Sequence, residues 1–155
     1  MIVSASEAAR SATLRVEAPV FVLCDVVGRD AHSGKWMLTG LFDTVLVPRF
    51  PAQHPTMDLF FRLWVVANGT GETAASAPLS ATVSFRTPSG QRGTLPAFTL
   101  TPGIHGLVEG SLRVQNFPLP EPGAYELELL VGGLTVARTW LRAEALPDRR
   151  STPIQ

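Results

Sequence analysis

Cysteine is nearly absent from this chain, which has one such residue, Cys24, among 155. A single cysteine excludes an internal disulfide, and it excludes a zinc site built from several thiolates. Because Cys24 lies inside an apolar run, we interpret it as a small buried hydrophobic residue rather than a reactive thiol. The core needs no covalent cross-link, since a domain of this length buries roughly 70% of its unfolded surface.

The chain also lacks an excess of charge of either sign, because 13 lysines and arginines balance 13 aspartates and glutamates. A neutral domain lacks the basic surface that nucleic-acid binding requires, so we expect no nucleic-acid partner. No apolar run reaches the roughly 18 residues of a membrane-spanning helix. The N-terminus has no continuous apolar segment of the kind that secretory signals contain. We therefore expect a cytoplasmic protein without a membrane partner.

Motifs for catalysis and cofactor binding are absent as well. The nucleophile elbow G-x-S-x-G does not occur, and the glycines at 69 and 71 lie in a polar connector rather than between a strand and a helix. The three histidines, His32, His54 and His105, each lie in a predicted loop, and their spacing matches no metal motif. We therefore predict no catalytic residues, no metal, no cofactor and no enzymatic activity.

What the chain does contain is a series of short β-rich runs separated by turn residues. Most of its 13 glycines and 13 prolines fall in the connectors between these runs. The predicted strands span 20–27, 35–47, 57–67, 79–87, 94–100, 107–114, 124–131 and 134–142. This spacing predicts an all-β, single antiparallel β-sandwich of about eight strands and immunoglobulin-like type. We expect flexible segments at 1–18 and 147–155 and a single domain at 19–146.

The first two runs predict a β-hairpin. If Val27 lies opposite Lys35, one face carries Val20, Val22, Cys24, Val26, Trp36, Leu38, Gly40 and Phe42, which is apolar enough to be the core. The opposite face carries the interface candidates Phe21, Leu23, Met37, Leu41 and Val45, and such an apolar face is too large to stay in solvent. Either another copy of the chain or the N-terminal segment covers it, and we favour self-association.

Charged residues inside the strand runs need partners. Residues 57–67 are apolar on both faces, which predicts a central strand and places Arg62 on a covered face. A buried guanidinium requires a carboxylate, so Asp25, Asp43 and Arg62 are predicted to form a structural ion pair. The predicted register separates the two aspartates by about 20 Å, too far for a catalytic carboxylate pair.

Two further patterns concern the C-terminal half and the aromatic residues. Tyr125, Leu127, Leu129 and Val131 alternate with Glu126 and Glu128, and Gly132-Gly133 suits a tight two-residue turn, so the last two runs predict a hairpin. Trp36, Trp64 and Trp140 all lie inside strand runs, so we expect them in the core rather than on a platform for sugar stacking.

Several motifs of the first half resemble those of a bacterial family that is classed only as a domain of unknown function. They are Phe21-x-Leu23-Cys24-Asp25, Gly34-Lys35, Gly40-Leu41-Phe42-Asp43 and Phe50-Pro51-x-x-His54-Pro55. The Gly123-x-Tyr125 element is also similar to that of immunoglobulin-like modules. This resemblance implies a β-sandwich and carries over no catalytic residues.

Together these observations favour a non-enzymatic structural or protein-interaction module that binds another protein, most simply a second copy of itself. The alternative is a small-molecule or glycan binder that uses loops at one end of the sandwich, with His32, His54 and His105 as loop ligand candidates. The two hypotheses differ in the surface that carries the function, which is a strand face in the first and a loop cluster in the second.

Overall fold

The computed structural model describes residues 14–67, 78–103 and 105–147, and within these ranges it contains strands and no helix. These described ranges contain ten strands rather than about eight. They are β1 (Leu14–Arg29), β2 (Trp36–Leu41), β3 (Thr44–Val47), β4 (Ala52–Ala67), β5 (Leu79–Arg86), β6 (Arg92–Thr94), β7 (Phe98–Leu100), β8 (Leu107–Leu119), β9 (Gly123–Val131) and β10 (Leu134–Ala145).

The strands form two sheets. The four-stranded sheet has the order β2-β1-β4-β8, and the six-stranded sheet has the order β3-β10-β9-β5-β6, with β7 also paired to β5. All pairs are antiparallel except β3 and β10, which run parallel. The prediction of an all-β fold is confirmed, whereas the expectation of purely antiparallel pairing is corrected by this one parallel pair.

Both sheets contribute to one hydrophobic core. The four-stranded sheet supplies Leu23 and the inward side chains of β4, such as Leu59 and Leu63. The six-stranded sheet supplies Leu127 and Leu129 of β9 and further residues of its neighbours. The buried residues of the two sheets therefore form one cluster.

The predicted strand 35–47 is in fact two strands in different sheets. Phe42 and Asp43 separate β2 from β3. The amide of Phe42 donates to the Leu23 carbonyl in the four-stranded sheet, and the amide of Arg142 donates to the Asp43 carbonyl in the six-stranded sheet. Because β2 and β3 are the terminal strands of their sheets, residues 36–47 form one continuous side of the molecule. We call this segment the edge segment.

Two other expectations about strands are met. β4 is an interior strand between β1 and β8. Leu134 pairs with Val131 around Gly132 and Gly133, whose φ angles of 59° and 83° are the positive values that a two-residue hairpin turn requires. The connector 48–51 carries the chain from the six-stranded sheet to the four-stranded sheet.

The Gly-x-Tyr element forms a tyrosine corner. Tyr125 is completely buried at the start of β9. Its hydroxyl donates to the Glu121 carbonyl at 2.6 Å and accepts from the Glu121 amide at 3.2 Å. Burial raises the pKa of this hydroxyl, so it stays protonated and keeps its donor. Such a corner closes the turn before a late strand in β-sandwich proteins.

The start of the domain lies earlier than predicted. Residues 14–18, which were expected to be flexible, belong to β1 and pair with the end of β4, and a register shift follows between Glu17 and Val20. Pro19 lies within that shift and has no amide to donate, which is the usual reason for such an irregularity. Residues 1–13 and 148–155, which contain the rest of the predicted flexible segments, lie outside the described residues.

Candidate interaction surface

The edge strand β2 exposes apolar side chains. Met37 and Leu41 are 48% and 63% exposed, and Val26 on the neighbouring strand is 50% exposed. The pairs Cys24–Leu41, Val26–Thr39 and Gly28–Met37 place these side chains on one face of the hairpin. Among the described residues β2 pairs with β1 alone, so one row of its backbone donors and acceptors is open.

The tip of this hairpin folds over the outer face of the four-stranded sheet. Trp36 on β2 packs edge to face on Phe60 of β4, with ring centroids 5.4 Å apart, and its Nε1 donates to Glu109 Oε2 of β8 at 3.1 Å. β1 and β4 lie between β2 and β8. In a flat sheet the backbone of β2, which carries Trp36, would therefore be about 14 Å from that of β8, which carries Glu109. The contacts therefore require the hairpin to bend across β4.

The carboxylate of Asp58 anchors the bend. Asp58 lies on β4 and is only 2% exposed. Its Oδ2 accepts the amide of Val27 at 2.8 Å and Arg113 Nη2 at 3.0 Å, and its Oδ1 accepts Arg113 Nε at 2.9 Å. The hydrogen bonds from Arg113 hold the pKa of Asp58 below its ordinary value, against the opposing effect of burial. Asp58 is therefore a charged tether between β4 and the hairpin.

Cys24 lies beside this tether. The cysteine is completely buried, and its Sγ contacts the Asp58 carbonyl at 3.7 Å. Burial, followed by the nearby charge of Asp58, raises the pKa of the thiol. The structure thus agrees with the interpretation of Cys24 as a buried and protonated side chain.

The hairpin loop is itself well ordered by hydrogen bonds. Asp30 Oδ1 accepts the amides of His32 and Ser33 and the hydroxyl of Ser33, and these bonds lower the pKa of the Asp30 carboxyl. The guanidinium of Arg29 stacks over the Trp36 ring at 4.1 Å. This loop sets a register in which Val27 faces Leu38, three residues away from the predicted partner Lys35.

Three of the five predicted interface residues are corrected by the structure. Phe21, Leu23 and Val45 are buried in the hydrophobic core, whereas Met37 and Leu41 are exposed. The sequence could not distinguish the two faces of β1 because both are apolar. Val26, which was expected in the core, instead lies on the exposed face.

The predicted ion pair of Asp25, Asp43 and Arg62 is also wrong. Arg62 Nε lies 3.0 Å from Glu109 Oε1 on the adjacent strand, and Asp25 and Asp43 are exposed. Asp43 accepts the hydroxyl of the neighbouring Thr44 at 2.9 Å. The buried carboxylate that sequence reasoning missed is Asp58, and the available signal was its position between Met57 and Leu59 in an apolar run.

The three histidines do not converge. His32 lies in the hairpin loop, and His54 lies in β4 rather than in a loop. His105 precedes Gly106, whose carbonyl accepts the amide of Val65 near the other end of β4. Eleven residues of strand separate His54 from Val65, or about 37 Å. Among residues 14–67, 78–103 and 105–147, no group of three potential metal ligands occurs.

His54 makes the stability of the fold depend on pH. Burial lowers its pKa, although the charge of Asp25 opposes this effect, and its ring lies 5.5 Å from that of Phe42. A histidine with a lowered pKa in the folded state binds its proton more readily when unfolded. Stability is therefore full above the ordinary histidine pKa of about 6.5 and declines as the pH falls below it.

We expect His54→Phe to remove this decline. The melting temperature of the wild type should fall relative to that of the variant between about pH 7 and pH 5, the range in which an ordinary histidine titrates. His32→Phe is the matched control, because His32 is exposed, and its curve should follow the wild type. Melting curves of wild type and His54→Phe that stay parallel across this range would contradict the prediction.

The tryptophans are not core residues, contrary to expectation. Trp36 and Trp64 are half-buried on the four-stranded sheet, and Trp140 on β10 is exposed. The outer face of the six-stranded sheet carries Trp140 together with an ionic network. In that network Arg86 pairs with Glu126, and Arg138 lies 2.8 Å from Glu128 and 3.5 Å from Glu126.

The described residues contain no helix that is both long and apolar enough to cross a membrane.

The solved structures that are similar to this chain include three proteins with low TM-scores. An alkylpurine DNA glycosylase, AlkC of Pseudomonas fluorescens bound to DNA with an abasic site analogue, has a TM-score of 0.46 and 14% identity, over 83% of this chain and 30% of that chain. A β-glucosidase from Listeria innocua in complex with glucose has a TM-score of 0.49 and 3% identity, over 85% of this chain and 16% of that chain. An immunoglobulin-like protein from Pseudomonas aeruginosa has a TM-score of 0.37 and 14% identity, over 86% of this chain and 98% of that chain.

These matches contradict the prediction that the chain is not an enzyme, because two of the three structures are chains of enzymes. We therefore withdraw that prediction. The chain spans 30% of the glycosylase chain and 16% of the glucosidase chain, and no activity is transferred from either of them.

None of the curated proteins is similar to the chain. A protein-family model does match it, over residues 19–144, which include all of the sheets except the start of β1 and the end of β10. The motifs of the first half had indicated a family of this kind. The chain therefore belongs to the family of unknown function DUF6941.

Proposed function

We propose that this chain is a protein-interaction module that self-associates through β2 at the edge of its four-stranded sheet. The scaffold is a single immunoglobulin-like sandwich, an assignment that the tyrosine corner and the shared core of the two sheets support. The observation that carries the proposal is the exposure of Met37 and Leu41 on a strand with an open backbone edge.

The chemistry of β2 favours pairing with another strand. Natural proteins protect exposed edges with lysine, proline or inward-pointing charges. β2 reads Trp-Met-Leu-Thr-Gly-Leu and contains no charged residue and no proline. Gly40, with a φ of 65°, departs from regular strand geometry, so we expect backbone pairing along 36–39 and side-chain contact from Leu41. An unprotected edge of this kind suits the addition of a strand from a partner.

A second copy of the chain is the partner that we propose. Two identical strands can pair antiparallel about a two-fold axis, which brings the same apolar side chains together from both subunits. The chain has no net charge, so two copies approach without long-range repulsion. The anchored hairpin tip also favours association, because β2 is already ordered before a partner strand pairs with it.

The test is to place charges on the edge and measure the oligomeric state. We expect the wild type to form a reversible dimer whose population rises between about 10 µM and about 1 mM, as befits a short interface of modest affinity. Met37→Lys with Leu41→Lys should yield a monomer by sedimentation velocity and light scattering, because a lysine at an edge opposes pairing.

Leu134→Lys is the matched control for this experiment. Among the residues that the structure describes, Leu134 is the most exposed large apolar residue, at 68%, and it lies in β10 of the other sheet. The same change from an apolar to a charged side chain there should leave the dimer intact. A wild type that stays monomeric at the highest concentration would refute the proposal, and so would a dimer that only Leu134→Lys dissociates.

A further inference from the structure

Trp140 is an exposed aromatic residue among charged neighbours. Its side chain lies on the outer face of the six-stranded sheet and is 52% exposed. The strand register places Glu126 beside Trp140 and Arg86 beside Glu126. This face is distinct from the edge segment, so the proposed self-association gives Trp140 no role. An exposed aromatic ring beside charged groups offers a stacking surface to a ligand that has both an apolar face and polar groups.

A groove of about 310 Å³ runs between Trp140 and the turn at Thr87–Gly90. The small side chain of Ala124 and the charged side chains of Arg86 and Glu126 also line it. The turn is held in place by the amide of Thr87, which donates to the Gln91 carbonyl at 2.8 Å, and by the amide of Ser89, which donates to Glu121 Oε1 at 2.8 Å. The groove is thus a fixed depression with one aromatic wall and one polar wall.

The charges in the groove balance. Glu126 is only 7% exposed and pairs with Arg86, while Arg138 lies 3.5 Å from its other oxygen. A site in which each carboxylate is already matched by a guanidinium attracts neither an anion nor a cation strongly. It still presents carboxylate lone pairs as acceptors and guanidinium hydrogens as donors. Groups that both donate and accept hydrogen bonds, such as hydroxyls, fit it best.

We propose that this groove binds a neutral carbohydrate, with one sugar ring stacked on the exposed face of Trp140. A sugar ring has an apolar face of C–H groups, which suits an aromatic wall, and a rim of hydroxyls, which suits Glu126 and Arg86. The volume is at the lower end of the range for small-molecule sites, which fits one or two sugar units. This site lies between the outer face of the six-stranded sheet and the turn at Thr87–Gly90, and none of the three histidines lines it.

The experiment uses an array of neutral and acidic oligosaccharides, followed by calorimetry with the strongest binder. We expect a neutral oligosaccharide to bind the wild type. Trp140→Ala should raise the dissociation constant at least tenfold, whereas Leu134→Ala on the same strand should leave it unchanged. Ala124→Gln should weaken binding similarly, because a longer side chain fills the groove without altering Trp140, Arg86 or Glu126.

Three outcomes would overturn the carbohydrate site: no binder on the array, binding of acidic oligosaccharides only, or equal affinity in wild type and Trp140→Ala. Circular dichroism of each variant separates lost binding from lost folding, and Ala124→Gln keeps the test valid if Trp140→Ala fails to fold. The lysine variants of β2 should bind the oligosaccharide as well as the wild type does. Failure of self-association and failure of carbohydrate binding are therefore distinguishable.

Discussion

Leu23→Ala should lower the free energy of unfolding by about 2–5 kcal/mol, the usual cost of removing a buried leucine side chain. Leu23 is 2% exposed and belongs to the cluster that both sheets share. It pairs with Leu59 of β4, which is itself completely buried, so the surrounding side chains have little freedom to collapse into the space. Chemical denaturation of the purified variant measures the effect.

Leu41→Ala is the matched control, since the same side chain is removed from an exposed position of the same hairpin. Its effect on stability should stay within about 0.5 kcal/mol, as for most surface substitutions. The pair also separates two roles that the sequence did not distinguish. Leu41→Ala should weaken self-association without loss of stability, and Leu23→Ala should do the reverse. A stable Leu23→Ala variant with lost association would restore the original assignment of Leu23 to an interface.

Asp58→Ala should lower the free energy of unfolding by about 1.5–3 kcal/mol, as expected for lost hydrogen bonds to a charged group. The substitution leaves the amide of Val27 and the guanidinium of Arg113 without their acceptor. The hairpin tip also loses its tether to β4, so the contact between Trp36 and Glu109 should loosen. Denaturation curves report the first effect, and the fluorescence of Trp36 in a background of Trp64→Phe and Trp140→Phe reports the second.

The pH dependence of this effect has a definite sign. The folded-state pKa of Asp58 is lowered, so its contribution is full above the ordinary aspartate pKa of about 3.9 and is lost as the pH falls through the lower folded value. The gap in stability between wild type and Asp58→Ala should therefore close in acid. Asp25→Ala is the control, because Asp25 is exposed, and its cost should be within about 0.5 kcal/mol. A larger cost for Asp25→Ala than for Asp58→Ala would contradict the structure.

The candidate site was only partly predictable. The sequence predicted that one face of the first hairpin contacts another chain, and of the five residues predicted for that contact Met37 and Leu41 are exposed. It gave the wrong position for Phe21 and Leu23, because β1 carries apolar residues on both faces and alternation cannot then select the inner one. It gave the wrong position for Val45 because this residue belongs to β3 in the other sheet. The prediction of the ion pair was wrong for a related reason. Which carboxylate meets an arginine depends on the strand order, and β8, which supplies both Glu109 and Arg113, was not known to be the neighbour of β4.

The sequence by itself determined the properties that depend on local spacing. Alternation in β5 and β9, the Gly132-Gly133 turn and the Gly-x-Tyr corner specify strands and their connections, because side-chain direction in a strand repeats every two residues. Only the tertiary structure decided the division of residues 35–47 between two sheets, the bend of the hairpin over β4 and the burial of Asp58. These features arise from contacts between residues far apart in the chain, such as Val27 with Asp58 and Trp36 with Glu109, and no local pattern encodes them.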